Sequence, residues 1–438
     1  MPKKEVLGNK SFRVQNSPLV QPLLKGVKSA VNQLAKTDKK VWLSLYRGLP
    51  SSVYALFTAT VLNGLGSFVY PFLVLLLTQR LGYSNAKAGL FMSVTAVVYL
   101  PGSLIGGKIT DRYGRKKVMI ISQVLAASMF IVCAFLGDSP LIPLFVLLNL
   151  LFDGMTDPAR SALLTDVTNQ QNRQAAFSFN YLGHNLGFAF GPILAGFLFY
   201  HASQWLFLGN ALAALIAALF VGLYVPEAKR LEKSDSPLER SEEGGLLKAL
   251  MSRPHLLLYA LCAAFYSFAY SQALFALPLY TTTLFGQGGA VLYGKMMSIN
   301  AAVVIISNAF VVSALRRYHP LRNIAIAGLF YAVGFSAFGL AKEPPLFFLL
   351  SVIYTIGEVI DATNNTYYVA NNTPISHRGR FSSFIPIIMG TGHAIAPAIG
   401  GVVSAHYGLP VVWVLVGLSA LIGSSGTFAL YLRERTSL

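Results

Sequence analysis

The stretch GGKITDRYGRKK, residues 106–117, places a dense group of charged residues between two long apolar runs. The runs cover about residues 86–108 and 116–137, and each is long enough to cross the roughly 30 Å hydrocarbon core of a bilayer as a helix. A short charged loop between two such runs is typical of a helical hairpin in a membrane. The stretch therefore predicts an all-α protein that crosses a membrane more than once.

The composition of the whole chain agrees with this prediction. Of 438 residues, 54% are hydrophobic and 12% are charged, against about 25% charged in a typical soluble domain. Apolar runs of spanning length recur from residue 50 to residue 432. The twelve predicted spans are residues 50–78, 86–108, 116–137, 141–164, 175–200, 204–224, 254–283, 290–315, 321–341, 345–371, 380–404 and 409–432.

The net charge of +17 follows the loops and does not indicate a nucleic-acid partner. Only four of the 34 Lys and Arg residues, Arg80, Lys87, Lys295 and Lys342, lie at the side of the membrane opposite the N-terminus. Such a bias predicts that both termini are cytoplasmic. We expect a monomer in a bacterial inner (cell) membrane, with lipids as its surroundings.

The polar segments divide the chain into parts. Residues 1–46 are basic, and the apolar spacing within LLKGVKSAVNQLAK (23–36) predicts an amphipathic helix on an anionic leaflet, with a solvated tail as the alternative. Residues 225–253 have the charged composition of a cytoplasmic linker. The linker separates a first bundle of six helices, residues 47–224, from a second, residues 254–438.

The two bundles carry a sequence repeat at an offset of 205 residues. The identical pairs are Arg112/Arg317, Tyr113/Tyr318, Arg173/Arg378, Ser178/Ser383, Phe179/Phe384, Gly187/Gly392, Ala189/Ala394, Pro192/Pro397 and Gly196/Gly401. A single offset that serves two separate regions predicts a duplicated six-helix unit, and therefore two pseudo-symmetric bundles.

The same offset connects the acids inside the spans. The stretch IYTIGEVIDATNN (353–365) contains Glu358 and Asp361, and Asp153 lies 205 residues before Glu358. A charge near the bilayer centre costs about 2.5 to 3.5 kcal/mol, so such residues usually face a polar cavity and serve a function. We predict that Asp153 and Glu358 carry protons from opposite halves and that Asp361 tunes them or contacts substrate. The alternative is a neutral acid that bonds to nearby backbone or hydroxyl groups.

Other polar residues within the spans are candidates for a substrate cavity. They are Asn63, Tyr70, Asp157, Asn180, His184, Asn185, Tyr266, Tyr270, Gln272, Asn365 and His393. Aromatic and amide side chains would suit lipophilic or cationic ligands, although each is also able to serve as an interhelical hydrogen bond. Asp157 has an additional structural alternative, an ion pair with Arg160, and Asp166 is interpreted as a loop or capping acid.

The charged loop resembles the signature loop of the major facilitator superfamily. The matching residues are Gly107, Asp111, Arg112, Gly114, Arg115 and Lys116. The resemblance implies a twelve-helix transporter in which this loop is a conformational latch. We expect Gly107 to allow a close helix approach and Asp111 to accept hydrogen bonds from a helix N-terminus or an arginine.

A second motif is similar to that of the drug:proton antiporter branch of the superfamily. It is GFAFGPILAG (187–196), with Gly187, Gly191, Pro192 and Gly196 in register as a helix-packing motif. The pair Gly357 and Glu358 is also similar to proton-driven multidrug antiporters. The branch usually has an arginine four residues before the glycine of span four, and this chain has Leu150 there.

The pattern contains no spaced metal ligands and no phosphate-binding glycine loop, so neither an enzyme nor a bound cofactor is expected. Cys133 and Cys262 fall within spans and are interpreted as apolar core residues. We predict proton-coupled export of lipophilic or amphipathic small molecules, with the proton gradient as the energy source. The alternatives are a proton-coupled symporter for peptides, sugars or other metabolites and a receptor-like membrane protein that does not transport.

Overall fold

The computed structural model describes residues 46–169, 172–227, 253–315, 317–372 and 378–436. Within these ranges twelve helices are long and apolar enough to cross a membrane, which confirms the predicted fold class and number of spans. All twelve belong to one compact unit, Pro50–Leu438. The predicted amphipathic helix at 23–36 and most of the predicted linker lie outside the described residues.

We number the spanning helices α1 to α12. In the first half they are α1 (Ser51–Arg80), α2 (Asn85–Tyr113), α3 (Arg115–Phe135), α4 (Ile142–Asp166), α5 (Arg173–Phe188 and Gly191–His201) and α6 (Gln204–Tyr224). In the second half they are α7 (Pro254–Phe285), α8 (Gln287–Leu315), α9 (Pro320–Ser336, extended by a 3₁₀ turn, Ala337–Leu340), α10 (Pro344–Asn372), α11 (Arg378–Tyr407) and α12 (Leu409–Thr436).

Helix α1 is interrupted between Leu65 and Val69, a feature that its continuous apolar sequence did not predict. An interruption frees backbone N–H groups, which need a partner inside a membrane. Asn210 of α6 provides it, because its Oδ1 atom accepts hydrogen bonds from the N–H groups of Phe68 and Val69 at 3.3 and 3.4 Å. The break is therefore held by a side chain from another helix.

Helix α5 is also interrupted, just before Gly191 and Pro192. Proline lacks a backbone donor and fits the first turn of a new helix, so its position explains where the second segment begins. On this helix, a Cβ atom at Gly187 or at Gly191 would overlap backbone atoms of α1 around Leu65. These two glycines allow α1 and α5 to pack backbone against backbone.

The two halves of the protein meet through glycines that repeat at the same offset of 205. A Cβ atom at Gly89 of α2 would overlap the carbonyl oxygen of Pro397 on α11. In the other half, a Cβ atom at Gly294 of α8 would overlap the carbonyl oxygen of Pro192 on α5. Adding 205 to Gly89 and to Pro192 gives Gly294 and Pro397, so the two contacts are equivalent by the repeat.

A second pair of contacts repeats in the same way. A Cβ atom at Gly196 of α5 would meet the Ala290 carbonyl oxygen of α8 at 2.7 Å, and one at Gly401 of α11 would meet that of Asn85 on α2 at 2.5 Å. Both contacts lie at the end of the helices where α1 ends and α2 begins. We call the four residues Gly89, Gly196, Gly294 and Gly401 the glycine seal. At this end the helix backbones of the two halves touch.

The charged loop that joins α2 to α3 is held by ion pairs within the first half. Gly114 ends α2 with a φ of 99°, a conformation that favours glycine. Arg115 then forms an ion pair with Asp166 at the end of α4, at 2.9 Å. The Nζ atom of Lys116 donates a 2.8 Å hydrogen bond to the carbonyl oxygen of Gly222 near the end of α6. The loop thus joins three helices of one half.

Three details of this loop differ from the expectations. Gly107 has no heavy atom within 4 Å of a Cβ placed on it, and the close approach to α4 occurs at Gly102 and Gly106. Asp111 is exposed and makes no ion pair among the described residues. Asp166 is the carboxylate partner of Arg115 and not a loop or capping acid. The glycine shift has a physical reason, because Gly102 and Gly106 share the helix face that meets α4.

The aromatic core of the second half surrounds the helix that carries Glu358. The ring of Phe335 stacks on that of Tyr354 with 4.6 Å between the ring centroids, and the centroids of Phe338 and Trp413 are 5.2 Å apart. Each of these rings is almost fully buried. Tyr354 lies one turn before Glu358, so this close-packed core fixes the position of α10. Cys133 and Cys262 are free and buried, as predicted.

The glycine seal predicts a conformational effect of a single methyl group. Gly294→Ala should force α8 away from Pro192 at a cost of about 1 to 3 kcal/mol, which lowers the ratio of sealed to unsealed molecules at least about fivefold. The measurement is oxidative cross-linking of Ser93→Cys to Ala398→Cys, because the Ser93 Oγ atom lies 3.1 Å from the Ala398 amide nitrogen. The cross-linking rate should fall in Gly294→Ala.

The matched control is Gly288→Ala, on the same helix, where a Cβ atom has no neighbour within 4 Å. It should leave the cross-linking rate unchanged. Equal rates in the two alanine variants would contradict a seal that depends on close backbone contact.

The loop geometry predicts a ranking of two ion pairs. Asp166→Asn removes the partner of Arg115 in a pair with side-chain exposures of 21% and 11%, and should cost about 1 to 3 kcal/mol of stability. Glu227→Gln removes the partner of Lys117 in an exposed pair at 3.9 Å, and should cost at most about 1 kcal/mol. Thermal unfolding in detergent measures both, and an equal loss would refute the ranking.

Candidate functional site

A cavity of about 540 Å³ opens among the helices of the first half. This size is within the range of small-molecule sites. All six helices of the first half contribute to its wall, and Leu274 of α7 and His393 of α11 complete it from the second half. Its polar lining includes Asn63, Ser67, Tyr70, Thr95, Tyr99, Gln123, Asn149, Asp153, Asp157, Arg160, His184, Asn210 and His393.

The charged part of the wall comes from one face of α4. Asp157 forms an ion pair with Arg160 at 3.1 Å, as expected for residues one turn apart, and the Tyr99 hydroxyl group donates a hydrogen bond to the same carboxylate. Asp153 also lines the cavity and is exposed to it, but it has no ion pair among the described residues. The two acids therefore differ: Arg160 neutralises the charge of Asp157, whereas the carboxyl group of Asp153 is free of ion pairs within the described chain and faces the cavity.

Four further predicted residues reach this cavity. Asn63, Tyr70, His184 and His393 are in its wall. The Oδ1 atom of Asn63 accepts a 2.8 Å hydrogen bond from Gln123 of α3, so this part of the wall is an amide pair. The two histidines reach the cavity wall from different halves of the protein, His184 from α5 and His393 from α11.

The structure places other predicted cavity residues in helix contacts. Asn180 accepts a 2.7 Å hydrogen bond from a threonine of α1, and Asn185 bonds within its own helix at 3.0 Å. Tyr266 and Gln272 donate to α12 and α11 at 3.2 and 2.7 Å. Asn365 is half-buried on α10 and is not in the wall. Asn180, Tyr266 and Gln272 thus form interhelical hydrogen bonds, the alternative that the sequence left open for them, and none is in the wall of the 540 Å³ cavity.

Glu358 occupies a separate site at the meeting of α7, α8 and α10. Its Oε2 atom accepts a 2.6 Å hydrogen bond from Asn300 of α8, and Tyr270 of α7 lies beside the carboxyl group. Neither Glu358 nor Tyr270 is in the wall of the 540 Å³ cavity. Asp153 is therefore in the wall of this cavity, and its repeat partner Glu358 is not.

Asp361 lies one turn after Glu358 and is surrounded by tyrosines. Its Oδ1 atom is buried and has no hydrogen-bond partner. Tyr259, Tyr266 and Tyr331 are near enough to interact with its charge, and no cationic side chain among the described residues pairs with it. A buried carboxylate without a counter-charge is unfavourable, and a bound proton removes that cost.

Several residues of the two sites were not identified from the sequence. Tyr99, Gln123, Asn149 and Asn210 line the cavity, and Asn300 contacts Glu358. A signal for Asn300 was present, because it is a single amide in the apolar run MMSINAAVVII. The sequence candidates were chosen from spans one, four, five, seven, ten and eleven, so the polar residues of spans two, three, six and eight were passed over, as was Asn149 of span four. Among the described residues, no group of side chains fits a metal ion.

Comparison with known proteins connects this arrangement to a family. The model of the Major Facilitator Superfamily matches residues 56–360. The MFS-type transporter YqjV of Bacillus subtilis (strain 168), itself uncharacterised, is 30% identical over 346 residues, which cover 77% of this chain and 82% of YqjV. The multidrug resistance protein MdtH of Salmonella typhi is 23% identical over 350 residues, which cover 80% of this chain and 85% of MdtH.

The fold is similar to that of solved transporters. The crystal structure of the nucleoside transporter NupG aligns with a TM-score of 0.72 at 16% identity, over 87% of this chain and 99% of NupG. At that identity the likeness concerns the fold alone. The family match, by contrast, extends over more than half of the chain and over both halves of the repeat. The chain is a multi-pass membrane protein that belongs to the major facilitator superfamily of transporters.

Proposed function

We propose that this transporter is proton-coupled and exports lipophilic or amphipathic small molecules by alternating access. The observation that carries the proposal is the state of three acids within the spans. Asp153, Glu358 and Asp361 have no cationic partner among the described residues. A carboxyl group within a membrane span that has no ion-pair partner can bind a proton on one side and release it when the site opens to the other.

The glycine seal supports the alternating-access part of the proposal. With the N-terminus in the cytoplasm, as the charge distribution predicts, the seal lies at the external end of the helices. Toward the cytoplasmic end of α2, a Cβ atom at Gly107 would meet no neighbour within 4 Å. The arrangement fits an inward-facing transporter with Asp153 accessible from the cytoplasm. Opening of the external end requires that the backbones at the seal separate.

The loop at residues 107–116 has a role in the same cycle. In this conformation Asp111 is exposed and unpaired among the described residues, while Arg115 and Lys116 hold α3 to α4 and α6. We assign to Asp111 a contact that forms when the cytoplasmic ends of the two halves come together. The loop would then favour the outward-facing state, as a latch.

The direction and the class of substrate rest on the relatives. MdtH, which is described as a multidrug resistance protein, supports export of drug-like molecules. A relative from Planococcus maritimus, 21% identical over 382 residues, is described as a Na(+), Li(+), K(+)/H(+) antiporter and supports exchange against protons. Exchange of a cation against a proton needs groups that bind and release protons, which membrane-embedded acids provide.

The role of the acids is tested in sealed inside-out vesicles with ethidium as the probe. Glu358→Gln and Asp153→Asn keep the shape of the side chain but cannot bind and release a proton, so each should reduce proton-driven ethidium accumulation at least about tenfold. The matched control is Asp138→Asn, an exposed acid that pairs with Arg80 in a loop. If both variants transport as well as this control, the acids do not carry the coupling protons.

A second candidate function has one observation in its favour. The cavity wall is rich in amide and charged groups, with Asn63, Gln123, Asn149 and Arg160 among them. Such a wall also suits a polar metabolite that is imported together with protons. Family membership alone does not specify the substrate. The substrate must therefore be identified by experiment before export and import can be distinguished.

The two candidates differ in the sign of the pH gradient that drives transport. In proteoliposomes with a panel of radiolabelled solutes, an antiporter should accumulate substrate when the interior is acidic, and a symporter when the exterior is acidic. If substrate accumulates when the exterior is acidic, and this accumulation is lost in Glu358→Gln, the protein is an importer and the export proposal is wrong. Accumulation that ignores both gradients would contradict proton coupling in either direction.

A further inference from the structure

Asn300 is a buried amide on α8 with two hydrogen bonds to α10. Its side chain is 6% exposed. The Nδ2 atom lies 2.6 Å from Glu358 Oε2 and 2.9 Å from the hydroxyl oxygen of Thr355. An amide nitrogen has two hydrogens to donate and accepts none, so these two contacts use its full capacity.

The hydroxyl group of Thr355 determines which way the Asn300 amide faces. Thr355 has one hydrogen, and it donates that hydrogen to the carbonyl oxygen of Ser351 at 2.6 Å. The Thr355 oxygen can therefore only accept from Asn300, which orients the amide nitrogen, and not its oxygen, toward α10. The same nitrogen then faces Glu358. The oxygen of Glu358 nearest to Asn300 must consequently be an acceptor.

We infer that Asn300, oriented by Thr355, is a positioning residue that favours the deprotonated form of Glu358 and thereby sets the pH at which the transporter loses this proton. A hydrogen bond to a charged acceptor is stronger than one to a neutral acceptor, so the donor stabilises the carboxylate more than the acid. The inference rests on the proposed proton coupling at Glu358 and names the group that tunes it.

The other groups that face Glu358 do not provide this preference with a positive charge. They are Tyr270 of α7, Tyr331 of α9, Tyr181 of α5, and Tyr354 and Asp361 of α10. Tyrosines are neutral hydroxyl groups at physiological pH, and Asp361 repels a second negative charge. No Lys, Arg or His of the described chain pairs with Glu358. Asn300 and Tyr270 are therefore the groups able to compensate its charge.

The repeat shows that this arrangement exists in one half only. The residue equivalent to Asn300 is Thr95, whose hydroxyl group donates to the Met92 carbonyl oxygen of its own helix at 2.6 Å. The residue equivalent to Thr355 is Leu150, which has no acceptor. Asp153 thus lacks the donor that its partner Glu358 has.

The test reads the protonation of Glu358 directly and needs no substrate. The full-length protein in lipid nanodiscs is titrated by infrared spectroscopy, and the carboxylic acid C=O band that disappears in Glu358→Gln is assigned to Glu358. In Asn300→Ala the midpoint of this band should move about one pH unit higher, which is the loss of one hydrogen bond to a charged group. Thr355→Val should move it in the same direction by less, because the amide remains but is no longer oriented.

The control is Ser298→Ala, on the same helix, whose hydroxyl group bonds the Gly294 carbonyl oxygen at 3.1 Å and does not reach Glu358. It should leave the midpoint unchanged. If folded Asn300→Ala has the same midpoint as the control, the inference is overturned. If Asn300→Ala does not fold, Thr355→Val replaces it, and a midpoint equal to that of the control again overturns the inference. Absence of a Glu358 band that titrates between about pH 4 and 10 also overturns it.

The outcome is distinguishable from failure of the proposed function. If Glu358→Gln keeps proton-driven ethidium transport but the infrared midpoint still shifts in Asn300→Ala, the proposed coupling role fails and the role of Asn300 stands. If transport is lost in Glu358→Gln and the midpoint does not shift, the coupling role stands and Asn300 is a structural residue.

Discussion

The constraint on which this structure depends is that a polar group within hydrocarbon must find its partner inside the protein. The break in α1 is possible because Asn210 accepts hydrogen bonds from the freed amides. Arg160 is tolerated because Asp157 neutralises it at 3.1 Å. At Asp361 such a partner is missing among the described residues and a bound proton can take its place, whereas Asp153 has no ion pair with them and is exposed to the cavity. These two positions are where we locate function.

A second constraint is close approach of backbones, which decides how the two halves meet. Only a residue without a Cβ atom permits the contacts of Gly89 with Pro397 and of Gly294 with Pro192. Because both contacts repeat at the offset of 205, the duplicated unit explains a seal with twofold symmetry. In the proposed alternating-access cycle these backbone contacts separate and re-form.

The two acids that are equivalent in the repeat, Asp153 and Glu358, have different surroundings. Asp153 faces a polar cavity in the first half, whereas Glu358 is bonded by Asn300 and lies among tyrosines in the second. Equivalent positions therefore hold acids with different surroundings. We propose that this difference in surroundings gives the transporter distinct proton-binding steps, which two identical sites would not provide.

The sequence alone determined the membrane class, the twelve spans, the repeat and the acids, because length, hydropathy and offset are properties of the chain read in order. It also identified Gly187, Gly191 and Pro192 as packing residues. It placed the close approach at Gly107, treated Asp166 as a loop or capping acid, and passed over Asn300. It left Asn180, Tyr266 and Gln272 open between the cavity wall and an interhelical hydrogen bond. Only the tertiary structure decided these points, since they depend on which face of each helix meets a neighbour, and a one-residue change of face separates Gly106 from Gly107.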